Sequence, residues 1–224
     1  MEEKRLFDIL KLYIAKYPSQ EVALAKKESG SWKKYSIQKY IEITNNISYA
    51  LIKLGIKKDD KVGIICNNRP EWNMLDMAIM QVGAVTVPIY PTISKEDYHY
   101  IINDCEVKLI VLEGQSVLQK IESVKDESPS LTGIYTIGTK SDYPTFDQLV
   151  EIGKSNPDPE ELKKREDSVD EKDCATIIYT SGTTGNPKGV MLSHFNIMSQ
   201  IHNLKQTPSP WSKKAFSFLP ICHA

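Results

Sequence analysis

The apolar positions of this chain change period several times, and each change marks an element. Between residues 3 and 17, Leu6, Ile9, Leu10, Tyr13 and Ile14 recur at helical spacing, and Tyr17-Pro18 ends the segment. VALAKK and SWKKYS flank Ser29-Gly30 and read as a short hairpin. Ser36 is placed to cap a helix over 37–54 that Gly55 stops. From KVGIIC (61–66) onward the rhythm is different. A helix from Pro70 to Gly83 is followed by a strand in AVTVPIY, then a helix opened by a capping pair, Ser94 with Asp97, that runs to about Asp104. A strand at 108–113, a helix at 114–125 and a strand in GIYTIG follow. Short continuous apolar runs suit strands buried on both faces, and their alternation with helices predicts parallel βαβ units.

The segment 153–173, GKSNPDPEELKKREDSVDEKD, breaks this pattern. It is polar, carries two prolines and reads as a solvated connector with a short helix at 159–166. After it come a strand, CATIIYT, a glycine-rich loop, a second strand, GVMLSH, a helix over 195–204, and a last strand in KKAFSFLP that runs into ICHA. The expected fold class is α/β, with mostly parallel sheet flanked by helices. Its expected division is a first α/β segment at 1–152, the connector at 153–173, and a strand–loop–strand segment at 174–224.

Composition changes this picture little. The 224 residues suffice for one large domain or two small ones, and a net charge of −1 gives no basic bias toward nucleic acid. No apolar run is long enough to span a bilayer, and MEEKRLFDILKLYIAKYP lacks the pattern of a secretory signal. Cys66, Cys105, Cys174 and Cys222 are widely spaced, and His99, His194, His202 and His223 lack metal-ligand spacing. Both facts argue against a zinc site, and the isolated thiols favour a reducing cytoplasmic compartment. Trp72, Met74, Met77 and Met80 read as the core face of one helix, Arg69 and Glu71 as a helix start, and the Lys/Glu run at 160–167 as a solvated face.

The chemistry is concentrated in YTSGTTGNPKGV, residues 179–190. Gly182, Gly185 and Gly189 permit positive φ and close backbone approach, and successive N–H groups in such a turn form an anion nest. Thr180, Ser181, Thr183 and Thr184 add hydroxyl donors, and Lys188 adds a cation within reach of a phosphate oxygen. A flexible linker needs neither that lysine nor flanking strands of this quality. The Walker pattern G-x-x-x-x-G-K-[ST] fails, because Pro187 stands where its second glycine belongs and Gly189 follows the lysine. The dinucleotide fingerprint fails too, with Thr183 two residues before Gly185. The loop is a phosphate binder of another type.

YTSGTTGNPKG is similar to the phosphate-loop signature of the adenylate-forming enzymes: acyl-CoA synthetases, luciferases and peptide-synthetase adenylation domains. NRPEWNMLDMAIMQVGAVTVPIYPT, MLSHFNI and FLPICHA resemble neighbouring blocks of that family, and their wording is most like the long-chain fatty acid branch. The resemblance runs from about Lys11 to Ala224. It implies the N-terminal part of the large adenylate-forming domain, and a two-step reaction. A fatty acid carboxylate attacks the α-phosphate of ATP to give acyl-adenylate and pyrophosphate, and the thiol of coenzyme A then displaces AMP. By the same resemblance, Thr180, Ser181, Gly182, Thr183, Thr184, Gly185 and Lys188 grip the β- and γ-phosphates, the Thr180 hydroxyl is a candidate magnesium ligand, and His223 lies beside the acyl and adenylate pocket. His194, also at a family-like position, is assigned a structural role.

Family members extend several hundred residues further, and the adenine and ribose sites and the adenylation lysine are expected beyond Ala224. The implied expectations are a longer parent enzyme, no turnover by the 224-residue chain alone, and self-association through surfaces left bare. The implied setting is cytoplasmic, with peripheral contact at the inner membrane face. Two alternatives stay open: adenylation of a medium-chain, aromatic or amino acid, and a non-catalytic phosphate- or nucleotide-binding module.

Overall fold

Strand β3 (Lys61–Ile65) shows how the sheet is made. Val62 and Ile64 point to one face, Gly63 and Ile65 to the other, and all four are buried. A strand covered on both sides belongs in the middle of a parallel sheet, and that is where the computed structural model places it. The structure describes residues 3–180, 185–205, 215–217 and 219–221.

The elements follow the expected order closely. Helix α1 (Asp8–Lys16) precedes an antiparallel hairpin of β1 (Leu24–Glu28) and β2 (Ser31–Tyr35), and then helix α2 (Ile37–Lys53), whose first turn is capped by the Ser36 hydroxyl. After β3 come α3 (Pro70–Gln81), β4 (Val85–Pro88), α4 (Lys95–Asp104), β5 (Val107–Leu112), α5 (Gln115–Glu122) and β6 (Gly133–Thr136). Then follow α6 (Phe146–Ser155), α7 (Pro159–Asp167), β7 (Cys174–Thr180), β8 (Lys188–Ser193) and α8 (His194–Lys205). The strand order is β6-β5-β3-β4-β7-β8; the first five run parallel, and β8 turns back antiparallel on β7.

One face of the sheet packs Val62, Ile64, Leu109 and Val111 against α2, α3 and α6 through residues such as Ile47, Met74 and Leu149. The other packs Ile65, Val87, Ile110 and Leu112 against α4 and α5 through Tyr98, Ile102 and Ile121. Trp72, Met74 and Met80 are core residues, as their helical spacing predicts. Among the described residues, no helix is long and apolar enough to cross a membrane.

Two expectations need correction. The segment at 153–173 is more than a solvated connector. Helix α6 runs into it, α7 forms where a short helix is expected, and Leu162, Glu166 and Val169 are buried. Its polarity is misleading because the buried Glu166 is paired with Lys11 at 2.6 Å, which lets a carboxylate sit on the inner face. Of the last strand expected in KKAFSFLP, residues 213, 214 and 218 lie outside the described residues; among the described ones, 215–217 and 219–221 have no strand pairing, and side-chain bonds with Asn68 hold them instead.

Strand β8 ends the sheet order and leaves Val190, Met191 and, at the start of α8, Phe195 exposed. An apolar edge strand is a template for another chain. The 224-residue chain is therefore expected to self-associate in sedimentation velocity as its concentration is raised, and Met191→Lys is expected to weaken that association. A strictly monomeric profile at high concentration would count against it.

Candidate functional site

Strand β7 is buried from Ala175 to Ile178 and emerges at Tyr179 and Thr180. It pairs with β8 along its length, and the last register pair is Thr180 with Lys188. Of the seven residues expected to grip phosphate, the structure places three: Thr180 and Lys188, exposed and facing each other across the hairpin mouth, and Gly185 between them. Gly185 has φ +100°, a conformation that favours glycine and that a phosphate nest uses. Ser181, Gly182, Thr183, Thr184 and His223 lie outside the described residues. The loop leaves the carboxyl end of a strand parallel to β4, the end at which open α/β sheets bind ligands.

A second polar cluster forms at the carboxyl ends of β3 and β5. The Glu113 carboxylate accepts from the Asn67 backbone N–H at 3.1 Å and from an Arg69 nitrogen at 2.5 Å, which ties the two strand ends together. Arg69 also donates to Glu71, which receives Lys26 from the β1–β2 hairpin at 2.9 Å. Burial pushes the Glu71 carboxyl up, but the bonds from Arg69 and Lys26 outweigh it and hold it at about 2. Arg69 and Glu71 thus do more than start a helix.

With Arg69 occupied, Asn68 turns to a distant segment. Its amide donates to the Leu219 carbonyl at 2.6 Å and to Ser217, and its oxygen accepts from the Ile221 N–H at 2.9 Å. NNRPEW therefore clasps the stretch that leads to His223. Sequence reasoning misses Asn68 and Glu113, since their partners lie 44 to 153 residues away. The one local signal is the pair of asparagines directly after a buried strand.

His194 has the structural role expected of it. It is buried, its Nδ1 accepts from the Leu6 N–H at 3.3 Å, and its ring meets Phe7 edge-on. Burial, and secondarily Arg5, lower its pKa to about 4, so it stays neutral.

The fold of this chain matches part of solved adenylate-forming ligases. A long-chain-fatty-acid-CoA ligase from Archaeoglobus fulgidus superposes with a TM-score of 0.72 at 24% identity, over 91% of this chain and 40% of that one. A fatty acyl-adenylate ligase from L. pneumophila, solved with acyl adenylate and pyrophosphate, gives 0.66 at 18% identity, over 91% and 32%. The chain belongs to the AMP-binding enzyme family, whose profile matches residues 11–224. A long-chain-fatty-acid–CoA ligase of Xenopus laevis is 41% identical over 181 residues, 79% of this chain and 24% of that protein. A fatty acyl-CoA synthetase of Dictyostelium discoideum is 33% identical over 219 residues, 90% and 31%. The chain spans about a quarter to a third of the length of these curated relatives.

Proposed function

We propose that this sequence works within an ATP-dependent fatty acid–CoA ligase acting on long-chain acids. The hairpin loop from Thr180 to Lys188 is the observation that carries this reading, and the names of the curated relatives support the choice of acid. In the first step a carboxylate oxygen bonds to the α-phosphorus of ATP while the bond to the pyrophosphate oxygen breaks. In the second, the coenzyme A thiol attacks the acyl carbon and AMP leaves.

In this reading Thr180, Ser181, Gly182, Thr183, Thr184, Gly185 and Lys188 hold the β- and γ-phosphates. Their work is positioning and charge stabilisation of the departing pyrophosphate. Thr180 offers one neutral oxygen at the loop's base and would hold magnesium carried in by the nucleotide. Such an ion would neutralise charge on the phosphates. His223 is assigned to the acyl and adenylate pocket, at the end of the segment that Asn68 clasps. The cytoplasmic setting and contact with the inner membrane face belong to the same proposal. Buried thiols at Cys66 and Cys105 suit a reducing compartment.

Lys188→Ala in the longer ligase is expected to raise the KM for ATP by about 10- to 100-fold, the cost of one charge-assisted phosphate contact. The KM for palmitate should stay nearly constant. ATP–pyrophosphate exchange with palmitate measures both, and an unchanged KM for ATP would remove the loop from phosphate binding.

A further inference from the structure

Helix α4 ends on Asp104, with no basic residue in its last turn. A carboxylate is unfavourable there, because the carboxyl end of a helix carries partial negative charge. Local rules are broken in this way where another contact compensates, and Asp104 has one. Its Oδ2 accepts from the Tyr179 hydroxyl at 2.5 Å, and its Oδ1 accepts from the Tyr100 hydroxyl at 3.2 Å. Tyr179 is the residue directly before Thr180. Its register partner is Gly189, directly after Lys188. A Cβ on Gly189 would lie 3.1 Å from the Tyr179 ring and 2.9 Å from Ile177, so the ring lies on bare backbone that only glycine leaves free.

Resting on the phosphate-binding role proposed for the loop, we propose that Asp104 is a positioning residue for it. The Asp104 carboxylate fixes the tip of Tyr179, and the fixed ring presses against Gly189. The residues on either side of the loop's two ends are thereby locked in register. Thr180 and Lys188 are then held opposite each other before any ligand arrives, so less ordering has to be done by the nucleotide on binding. The bond spans 75 residues and ties the end of α4 to the end of β7, directly beside the loop.

The proposal separates the hairpin from general stability. Hydrogen exchange on the 224-residue chain reads the first: in Asp104→Ala and in Tyr179→Phe, amides at 179–190 should exchange about tenfold faster, with the rest of the chain unchanged. Asp104→Asn keeps an acceptor for the phenol and should restore most of the protection. At 179–190 the two disrupting changes should add little when combined, because both break the Asp104–Tyr179 bond. In the longer ligase, Asp104→Ala should raise the KM for ATP about tenfold and leave the KM for palmitate and the melting temperature nearly unchanged. Unchanged exchange at 179–190, or faster exchange throughout the chain, would overturn the positioning role whatever the activity shows. Faster exchange confined to 179–190 with an unmoved KM for ATP leaves the anchor standing and overturns the phosphate-binding reading instead.

Discussion

Gly153→Ala is expected to destabilise the chain by about 3 kcal/mol or more, the upper range for overpacking against atoms that cannot rotate away. Gly153 lies in α6 where that helix crosses α2 most closely. A Cβ there would fall on the Asn46 carbonyl oxygen, 2.6 Å from the Asn46 carbonyl carbon and 3.0 Å from the Ala50 nitrogen. All three are backbone atoms of α2, so relief requires the helices to separate. Separation would unpack Phe146 and Leu149 from a core that includes Ile47 and Leu51. Intrinsic propensity points the other way, since alanine is favoured over glycine inside a helix by about 1 kcal/mol. The sign of the measured change therefore decides between packing and propensity. The urea midpoint of the variant should fall well below that of Lys154→Ala, an exposed neighbour on the same helix that serves as the control. A neutral or stabilising Gly153→Ala would mean that α2 and α6 do not approach this closely.

Helix α6 also shows where the sequence is hard to read. Its start carries a full capping box, Thr145 with Gln148, and its apolar residues are helically spaced, yet it lies beside a charged stretch with two prolines and many Asp and Glu residues that reads as a loop. The signal at 145–148 was available. The βαβ units from β3 to β6 were legible because buried parallel strands are continuous apolar runs with helix signals between them. The phosphate loop was legible because its chemistry is contiguous in sequence. The Asn68 clasp and the Asp104–Tyr179 bond were not, since each joins residues that only the folded sheet brings together. Glu166 is not legible as a buried residue for the same reason: its partner Lys11 is 155 residues away, and without it a glutamate belongs on a solvated face.

The stability of the wild-type chain is expected to change little between about pH 7.5 and 4.5, because two buried groups with opposite shifts offset each other. Burial lowers the His194 pKa from 6.5 to about 4. In that interval the unfolded chain takes up a proton that the folded chain refuses, so His194 removes stability as pH falls. Burial raises the Asp76 pKa from 3.8 to about 7; the Thr86 hydroxyl is near enough to moderate the shift but lacks the geometry of a hydrogen bond. Here the folded chain holds the proton and the unfolded chain releases it, so Asp76 adds stability as pH falls. Each shift corresponds to a change on the order of 2–3 kcal/mol across the interval. Asp76→Asn should therefore expose the His194 slope, with a chain more stable than wild type at pH 7.5 and steadily losing stability toward pH 4.5. His194→Gln should expose the opposite slope, with stability rising as pH falls. Urea midpoints at low protein concentration, taken every half pH unit or so, measure all three curves. A wild-type curve that already falls steeply by pH 5 and is unaltered by Asp76→Asn would show that Asp76 does not hold a proton in the folded chain.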